Sequence, residues 1–196
     1  MKIASGGCWV IAALLLAGCG SKTAESPKAA AVPPPVVEDP NAGSISGTVR
    51  FTGVTPAMRT IDMSATIACE RTHTTPQKSE EVVVNQNGTL KNVFVWVKSG
   101  VPNKAWPAPA ATVRLDQSGC TYKPHVIGAM TNQPIQFTNS DPTNHNIHPL
   151  TRVNREWNES QPPNGGEKVK SFTRQEVMIP VKCDIHPWMR AWIGVV

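Results

Sequence analysis

The chain has 196 residues, a net charge of +5, and 17% charged residues. Its basic residues are dispersed without a long run of like charge, so nothing in the composition supports nucleic-acid binding. From Gly43 onward about 150 residues remain, which is enough for one domain with a sizeable core.

The N-terminus has the pattern of an exported protein. Met1 and Lys2 form a short positive region, and the apolar run Cys8–Ala17 is too short to span a bilayer as a mature helix. The run leads into Leu-Ala-Gly-Cys at residues 16–19, which resembles a bacterial lipobox. That resemblance predicts that residues 1–18 are removed as a signal peptide and that Cys19 is lipidated. An ordinary secretory signal cleaved nearby is the alternative.

We therefore expect a protein of the bacterial cell envelope, held to the membrane by its lipid and facing the periplasm or the cell surface. Gly20, rather than Asp, follows the lipidated cysteine, which resembles the outer-membrane pattern of Gram-negative bacteria. Residues 19–42 are rich in Pro and Ala and have no apolar periodicity. This composition predicts a disordered or partly polyproline II tether.

Strand signals dominate residues 43–196, and no stretch predicts a helix of ten or more residues. Asn154–Gln161 could hold one helical turn, and Val93–Val97 is expected to be a strand buried on both faces. The pattern predicts an all-β Greek-key sandwich, with residues 43–100 adding N-terminal strands to it. The predicted strands are Ser44–Phe51, Val82–Val84, Val93–Val97, Thr112–Leu115, Val126–Met130, Ile135–Thr138, Val169–Phe172, Val177–Val181 and Arg190–Val196.

The last third of the chain carries residue types that bind metals. Cys183, His186 and Met189 recur every three residues between two predicted strands, so a tight loop can place a thiolate, an imidazole and a thioether around one ion. A histidine from the segment 145–148, which follows another predicted strand, would complete a His₂Cys set with a weak axial Met. This donor set is typical of a blue-copper site.

Residues 134–196 also resemble a cupredoxin, in motif closest to the amicyanin and plastocyanin group. That family pairs His-Asn-Val-His with Cys-x-x-His-Pro-Phe-Met-Arg, and this chain has His-Asn-Ile-His at 145–148 and Cys-Asp-Ile-His-Pro-Trp-Met-Arg at 183–190. The resemblance implies that Asn146 hydrogen-bonds across to the cysteine loop, and Pro187 is expected to fix the backbone beside the loop histidine. It implies one type 1 copper ion with the ligands His145, Cys183, His186 and Met189.

The same resemblance implies a carrier of single electrons between redox partner proteins outside the cytoplasm. We expect no enzymatic activity and no small-molecule substrate, because the four ligands leave no coordination position open. His186 is expected to present its ring edge to solvent as the electron port, with Trp188 as an apolar docking surface beside it. Burial of Trp188 under the loop is the alternative. Two other functions stay open: copper capture or delivery, and a surface interaction module with a vestigial site.

The cysteines and histidines can be assigned by counting. Of five cysteines, Cys8 leaves with the signal, Cys19 carries lipid and Cys183 takes the metal. Cys69 and Cys120 remain, and we predict that they form a disulfide in an oxidising compartment. The alternative is a second metal site.

Two pairings would be available to such a second site, Cys69 with His73 and Cys120 with His125. His125 is more typical of a hydrogen-bonded structural residue, and metal contact by His148 is left open. Five histidines are too few for a multicopper oxidase or a nitrite reductase.

Overall fold

The structure is a computed structural model, and two β-sheets form its C-terminal part. The structure describes residue 43 and the ranges 45–102 and 106–196. The predicted signal peptide, the lipidated Cys19 and the tether over residues 19–42 therefore lie outside the described residues. Within the described ranges, no helix is long and apolar enough to cross a membrane.

The strands are short, and they pair in an order different from their order along the chain. The elements are α1 Ile67–Glu70, β1 Val113–Gln117, β2 Tyr122–Lys123, β3 Val126–Ala129, β4 Ile135–Asn139, β5 His145–Pro149, β6 Glu159–Gln161, β7 Lys168–Lys170, β8 Glu176–Lys182 and β9 Arg190–Val195. The first sheet has the order β2-β1-β4-β7 and the second has the order β3-β9-β8-β5-β6. The pairs β1/β4 and β3/β9 are parallel, and the remaining pairs are antiparallel.

Alternating side chains build the core of this sandwich. In β4, Ile135 and Phe137 are fully buried while Gln136 and Thr138 are partly exposed, as expected for a strand with one face on a core. Ile179 and Ile193 from the second sheet belong to the same buried cluster. Burial of each such large side chain contributes roughly 1.5–3 kcal/mol to folding. The predicted all-β sandwich of two sheets is confirmed.

The strand predictions after residue 112 hold, whereas one prediction of a helical turn is wrong. The predicted strands overlap β1, β3, β4, β7, β8 and β9. The helical turn suggested for Asn154–Gln161 is wrong, because Glu159–Gln161 forms β6 and pairs with β5. Backbone pairing with a neighbouring strand decides this segment, and its local sequence does not carry that information.

The additional N-terminal strands are wrong. Among the described residues before Val113, β-pairing is limited to the isolated bridges Arg50↔Thr89, Thr60↔Lys78 and Val84↔Leu90. Val93–Val97 is not buried on both faces, since Val95 is 75% exposed. The alternating pattern is present in these segments, but their backbones form isolated bridges at most and no continuous ladder with a neighbouring strand.

Phe94 is the residue of this segment that faces the sandwich. Its ring lies over Gly194 and Gly128, where an added Cβ would come within 2.4 Å and 2.8 Å of the ring. Glycine is therefore required at both positions for this close approach. The N-terminal segment packs on the second sheet here and is tied to the sandwich again by the disulfide between Cys69 and Cys120. All described residues belong to one compact unit.

Candidate metal centre

The four predicted ligands meet at one end of the sandwich. His145 is the first residue of β5, and Cys183 directly follows β8. His186 and Met189 lie in the loop that connects β8 to β9. Because β5 and β8 pair with His148 opposite Lys182, the start of the loop is held beside the start of β5.

The donor atoms of three of these residues converge in a buried space. Nδ1 of His145 lies 2.9 Å from Nδ1 of His186, and Sγ of Cys183 lies 3.7 Å from Nδ1 of His186. The ligand atoms of the three residues all lie within 4.8 Å of one another. Met189 is buried, its N–H donates to the His186 carbonyl, and its own carbonyl accepts the Cys183 N–H. A thiol and two imidazole nitrogens that face one another, with a thioether on the same loop, fit copper.

The electrostatics of Cys183 and His186 favour the forms that bind metal. Burial acts to raise the pKa of the Cys183 thiol, but hydrogen bonds from His145 and from backbone N–H groups outweigh it, so the pKa is lowered. A lowered pKa favours the thiolate. Burial and the nearby His145 lower the pKa of His186, which favours the neutral imidazole. A metal ion requires a thiolate and neutral imidazoles. At His145 burial acts to lower the pKa, but the hydrogen bonds to Asp141 and Cys183 raise it, so His145 must lose a proton when metal binds.

Asn146 connects β5 to the cysteine loop, in the position that the family resemblance implies. Its Oδ1 accepts the backbone N–H of Asp184 at 2.7 Å and lies 3.2 Å from Sγ of Cys183. Its backbone carbonyl accepts the hydroxyl of the buried Tyr122 at 2.5 Å. These contacts fix the relative position of the strand and the loop that carry the candidate ligands.

Asp141 is a site residue that the sequence analysis missed. Its Oδ2 lies 2.9 Å from Nε2 of His145 and accepts the N–H of Cys120 at 2.7 Å, while Oδ1 accepts the N–H of Gly119 at 2.6 Å. The side chain is 4% exposed. In the sequence, Asp141 precedes Pro142 and is typical of a turn. The only signal toward the site was its position four residues before His145.

The predicted disulfide is present, with Sγ of Cys69 and Sγ of Cys120 bonded at 2.07 Å. Its position beside the site could not be predicted from the sequence, and it places Sγ of Cys69 3.6 Å from Nε2 of His186. The bond removes both cysteines from either suggested second metal site. His73 instead contacts the Gly119 carbonyl at 2.7 Å. Nδ1 of His125 lies 3.5 Å from Oε2 of Glu80.

A second group of metal-ligand residue types lies next to the first and shares His145 with it. The ligand atoms of Cys120, Asp141 and His145 lie within 4.8 Å of one another. The Cys120 sulfur is bonded to Cys69, and both carboxylate oxygens of Asp141 already accept hydrogen bonds. With the disulfide formed, Cys120 and Asp141 therefore surround His145 and do not offer a second metal site.

The expectation that His186 exposes its ring edge is wrong, because the residue is 1% exposed. The disulfide and the chain around α1 cover the ring on one side, and the Trp188 ring packs against it with centroids 5.1 Å apart. Trp188 is itself half-buried, and its Nε1–H donates to the Cys120 carbonyl at 3.0 Å. The residues that cover the loop come from a part of the chain without any motif.

His148 lies outside the converging group. Its Nδ1 is 2.9 Å from Oδ2 of Asp184, and its Nε2 is 2.7 Å from Oε1 of Glu156. Both ring nitrogens therefore contact carboxylates at the surface of the sandwich. Pro187 is exposed next to His186 in the loop.

No protein-family model matches the sequence, and no curated protein matches it. Among solved structures, the copper-containing nitrite reductase of Thermus scotoductus SA-01 is 20% identical over 50% of this chain and 25% of that chain, with a TM-score of 0.41. A purple cupredoxin from Nitrosopumilus maritimus is 17% identical over 43% of this chain and 99% of its own, with a TM-score of 0.37. An amicyanin variant in the Cu(I) form is 17% identical over 43% of this chain and 82% of its own, with a TM-score of 0.38. The match spans only a quarter of the nitrite reductase, and each covers half of this chain or less.

Proposed function

We propose that this chain is a mononuclear type 1 copper protein that carries single electrons between partner proteins outside the cytoplasm. The observation that supports it is the buried convergence of two imidazole nitrogens and one thiol within 4.8 Å. Met189, buried on the same loop, supplies the thioether that such sites use as a weak axial ligand. Copper bound by these residues would alternate between Cu(II) and Cu(I).

The donor set favours copper over a structural zinc ion. Structural zinc sites are closed by four Cys or His ligands. Here Cys183, the single free cysteine of the described ranges, is accompanied by two histidines and a methionine. Soft sulfur ligands together with imidazoles suit both oxidation states of copper. Because the four side chains would fill the coordination positions, the proposal includes no substrate and no enzymatic activity.

The residues around the donors have roles that suit electron transfer. Asn146 holds the loop against β5 through the Asp184 N–H, so the thiolate and the imidazoles keep their relative positions when the charge changes. Burial of the donors excludes water from the site. A site held this firmly undergoes little rearrangement during transfer. The same burial favours copper retention, and therefore electron transfer over copper delivery.

The location of the protein belongs to the proposal too. A lipid at Cys19 and a tether over residues 19–42 would hold the copper domain near a membrane of the cell envelope, where it can reach redox proteins. Mass spectrometry of the protein in the membrane fraction tests this part of the proposal, because processing removes residues 1–18 and adds lipid.

Spectroscopy of the copper-loaded full-length protein tests the function. With Cu(II) we expect an intense blue colour and the narrow copper hyperfine splitting of a thiolate-bound site. Cys183→Ser and His145→Asn should lose the colour, whereas His148→Asn, three residues farther along the same strand, should keep it. A colourless wild type, or a colour that survives Cys183→Ser, contradicts the proposal.

A further inference from the structure

The outer nitrogens of both candidate ligand histidines contact one structural unit. We call Cys69, Gly119, Cys120 and Asp141 the disulfide unit. Nε2 of His145 lies 2.9 Å from Asp141, and Nε2 of His186 lies 3.6 Å from Sγ of Cys69. The inner nitrogens, both Nδ1, face each other across 2.9 Å at the metal centre. Each imidazole thus contacts the disulfide unit through Nε2, while its Nδ1 is directed at the metal centre.

Asp141 is the only charged member of this unit, and its carboxylate is fully engaged. It accepts the N–H groups of Gly119 and Cys120 and faces the ring N–H of His145. Three N–H donors converge on these two oxygens, which is the environment of an ionised carboxylate, although the side chain is almost completely buried.

The disulfide determines where this carboxylate can sit. Gly119 and Cys120 both have a positive φ, at 66° and 50°, so their N–H groups belong to one tight turn. The covalent bond from Cys120 to Cys69 ties that turn to α1. The Trp188 indole N–H donates to the Cys120 carbonyl and so connects the same turn to the loop between β8 and β9.

We propose that Asp141 is a positioning residue of the copper site and that the disulfide unit holds it in place. By accepting the Nε2–H of His145, Asp141 fixes the tautomer in which Nδ1 is free to bind the metal. Its negative charge also stabilises the more positive Cu(II) state relative to Cu(I). The inference rests on the proposed function for its copper-dependent part only.

The expected size of the effect follows from other metal sites. A carboxylate behind a metal-binding histidine orients the ring and raises its basicity, and loss of such a partner typically reduces metal affinity about 10–100-fold. Asparagine has nearly the same shape as Asp141, but it lacks the charge. One of its two polar atoms would be an NH₂ group that faces an N–H donor.

Two carboxylates of this chain make a matched comparison. Asp141→Asn removes one negative charge behind His145, and Asp116→Asn removes one from β1, where the side chain accepts hydrogen bonds from Thr138 and Ser140. In the full-length protein loaded with Cu(II), we expect Asp141→Asn to raise the reduction potential and to weaken Cu(II) binding about 10–100-fold. Asp116→Asn should leave both at the wild-type values.

A measurement without copper tests whether Asp141 positions His145 or only accepts the N–H groups of the turn at Gly119 and Cys120. Nitrogen NMR of the apo protein, at an alkaline pH where the imidazole is neutral, reports which ring nitrogen of His145 carries the proton. We expect the Nε2–H tautomer in the wild type and in Asp116→Asn, and a mixture of tautomers in Asp141→Asn. A pure Nε2–H tautomer in Asp141→Asn, with unchanged potential and affinity, overturns the inference and leaves the proposed function intact.

Two further outcomes are also decisive. If the wild type takes up no copper, the proposed function fails, and the tautomer of His145 alone decides the role of Asp141. If Asp141→Asn does not fold, Asp141→Glu replaces it, because Glu keeps the charge. The Glu variant should keep the blue colour and a reduction potential close to that of the wild type. A blue Glu variant whose His145 is not in the Nε2–H tautomer overturns the inference.

Discussion

Sγ of Cys69 lies 3.6 Å from Nε2 of His186, so a disulfide covers the ring edge of a candidate copper ligand. The cysteine lies in the short helix α1, 117 residues before the histidine. An N-terminal segment without a motif therefore closes the end of the sandwich at which the metal centre lies.

Removal of this disulfide should both destabilise the protein and open the site. For Cys69→Ala/Cys120→Ala, the loop-entropy model gives a loss of about 4 kcal/mol in the free energy of unfolding. We also expect a Cu(I) chelator to remove copper faster, because the cover over His186 becomes mobile. Denaturant unfolding and the rate of chelator capture measure the two effects. An unchanged capture rate would show that the disulfide does not limit access to His186.

The Phe94 contact with the second sheet should not tolerate a methyl group at Gly194. Gly194→Ala places a Cβ 2.4 Å from the Phe94 ring, so the ring must move. We expect a loss of roughly 1–3 kcal/mol in the free energy of unfolding, as for other overpacked cores. Gly166→Ala, where an added Cβ meets nothing within 4 Å, is the control.

A double-mutant cycle completes this test. In a Phe94→Ala background, Gly194→Ala should cost little, because the ring that it displaces is absent. Equal costs of Gly194→Ala in both backgrounds would contradict the observed packing of Phe94.

Glu176 should make stability depend on pH on the acid side. Its carboxylate accepts the N–H groups of Arg152, Val153 and Asn154, and also the Asn154 side chain. Burial acts to raise its pKa, but these hydrogen bonds lower it below the ordinary value of 4.5. A lowered folded-state pKa stabilises the protein above about pH 4.5, and this contribution is lost as the pH falls through the folded-state pKa.

Glu176→Gln should therefore lower the free energy of unfolding at pH 7 by roughly 1–3 kcal/mol, the usual range for hydrogen bonds to a charged group. The difference from the wild type should shrink as the pH falls below 4.5. Urea unfolding between pH 3 and pH 7 measures it, with the exposed Glu167→Gln as the control. A difference that does not change with pH would assign the effect to packing alone.

Asn146 should control the copper spectrum more strongly than its neighbour Asn158. Asn146 accepts the Asp184 N–H and lies 3.2 Å from Sγ of Cys183, whereas Asn158 contacts Asp184 and Asn146 but not the cysteine. Asn146→Ala leaves the loop N–H without its partner, so we expect a shifted visible spectrum and faster copper loss. Asn158→Ala should leave the spectrum unchanged, and equal shifts in the two variants would contradict this role.

The sequence by itself determined six of the nine strands of the two sheets, and the candidate ligands. Strand alternation in Ile135–Asn139 and Glu176–Lys182 reflects burial on one or both faces, which is a local pattern. Cys183, His186 and Met189 lie three residues apart within one loop, so their closeness is a local property of the sequence. Counting the cysteines also predicted the pair Cys69 and Cys120, because few cysteines were left to choose from.

Only the tertiary structure decided what surrounds these residues. Segments 45–51 and 93–97 have the alternation of strands, but the first pairs only through the isolated bridge Arg50↔Thr89 and the second has no bridge. A strand needs its neighbour's backbone as much as its own side chains. The burial of His186 and the carboxylate of Asp141 behind His145 both depend on the turn at Gly119–Cys120. That turn reaches the site through a covalent bond and hydrogen bonds between distant parts of the chain, and no local pattern in the sequence specifies where those parts meet.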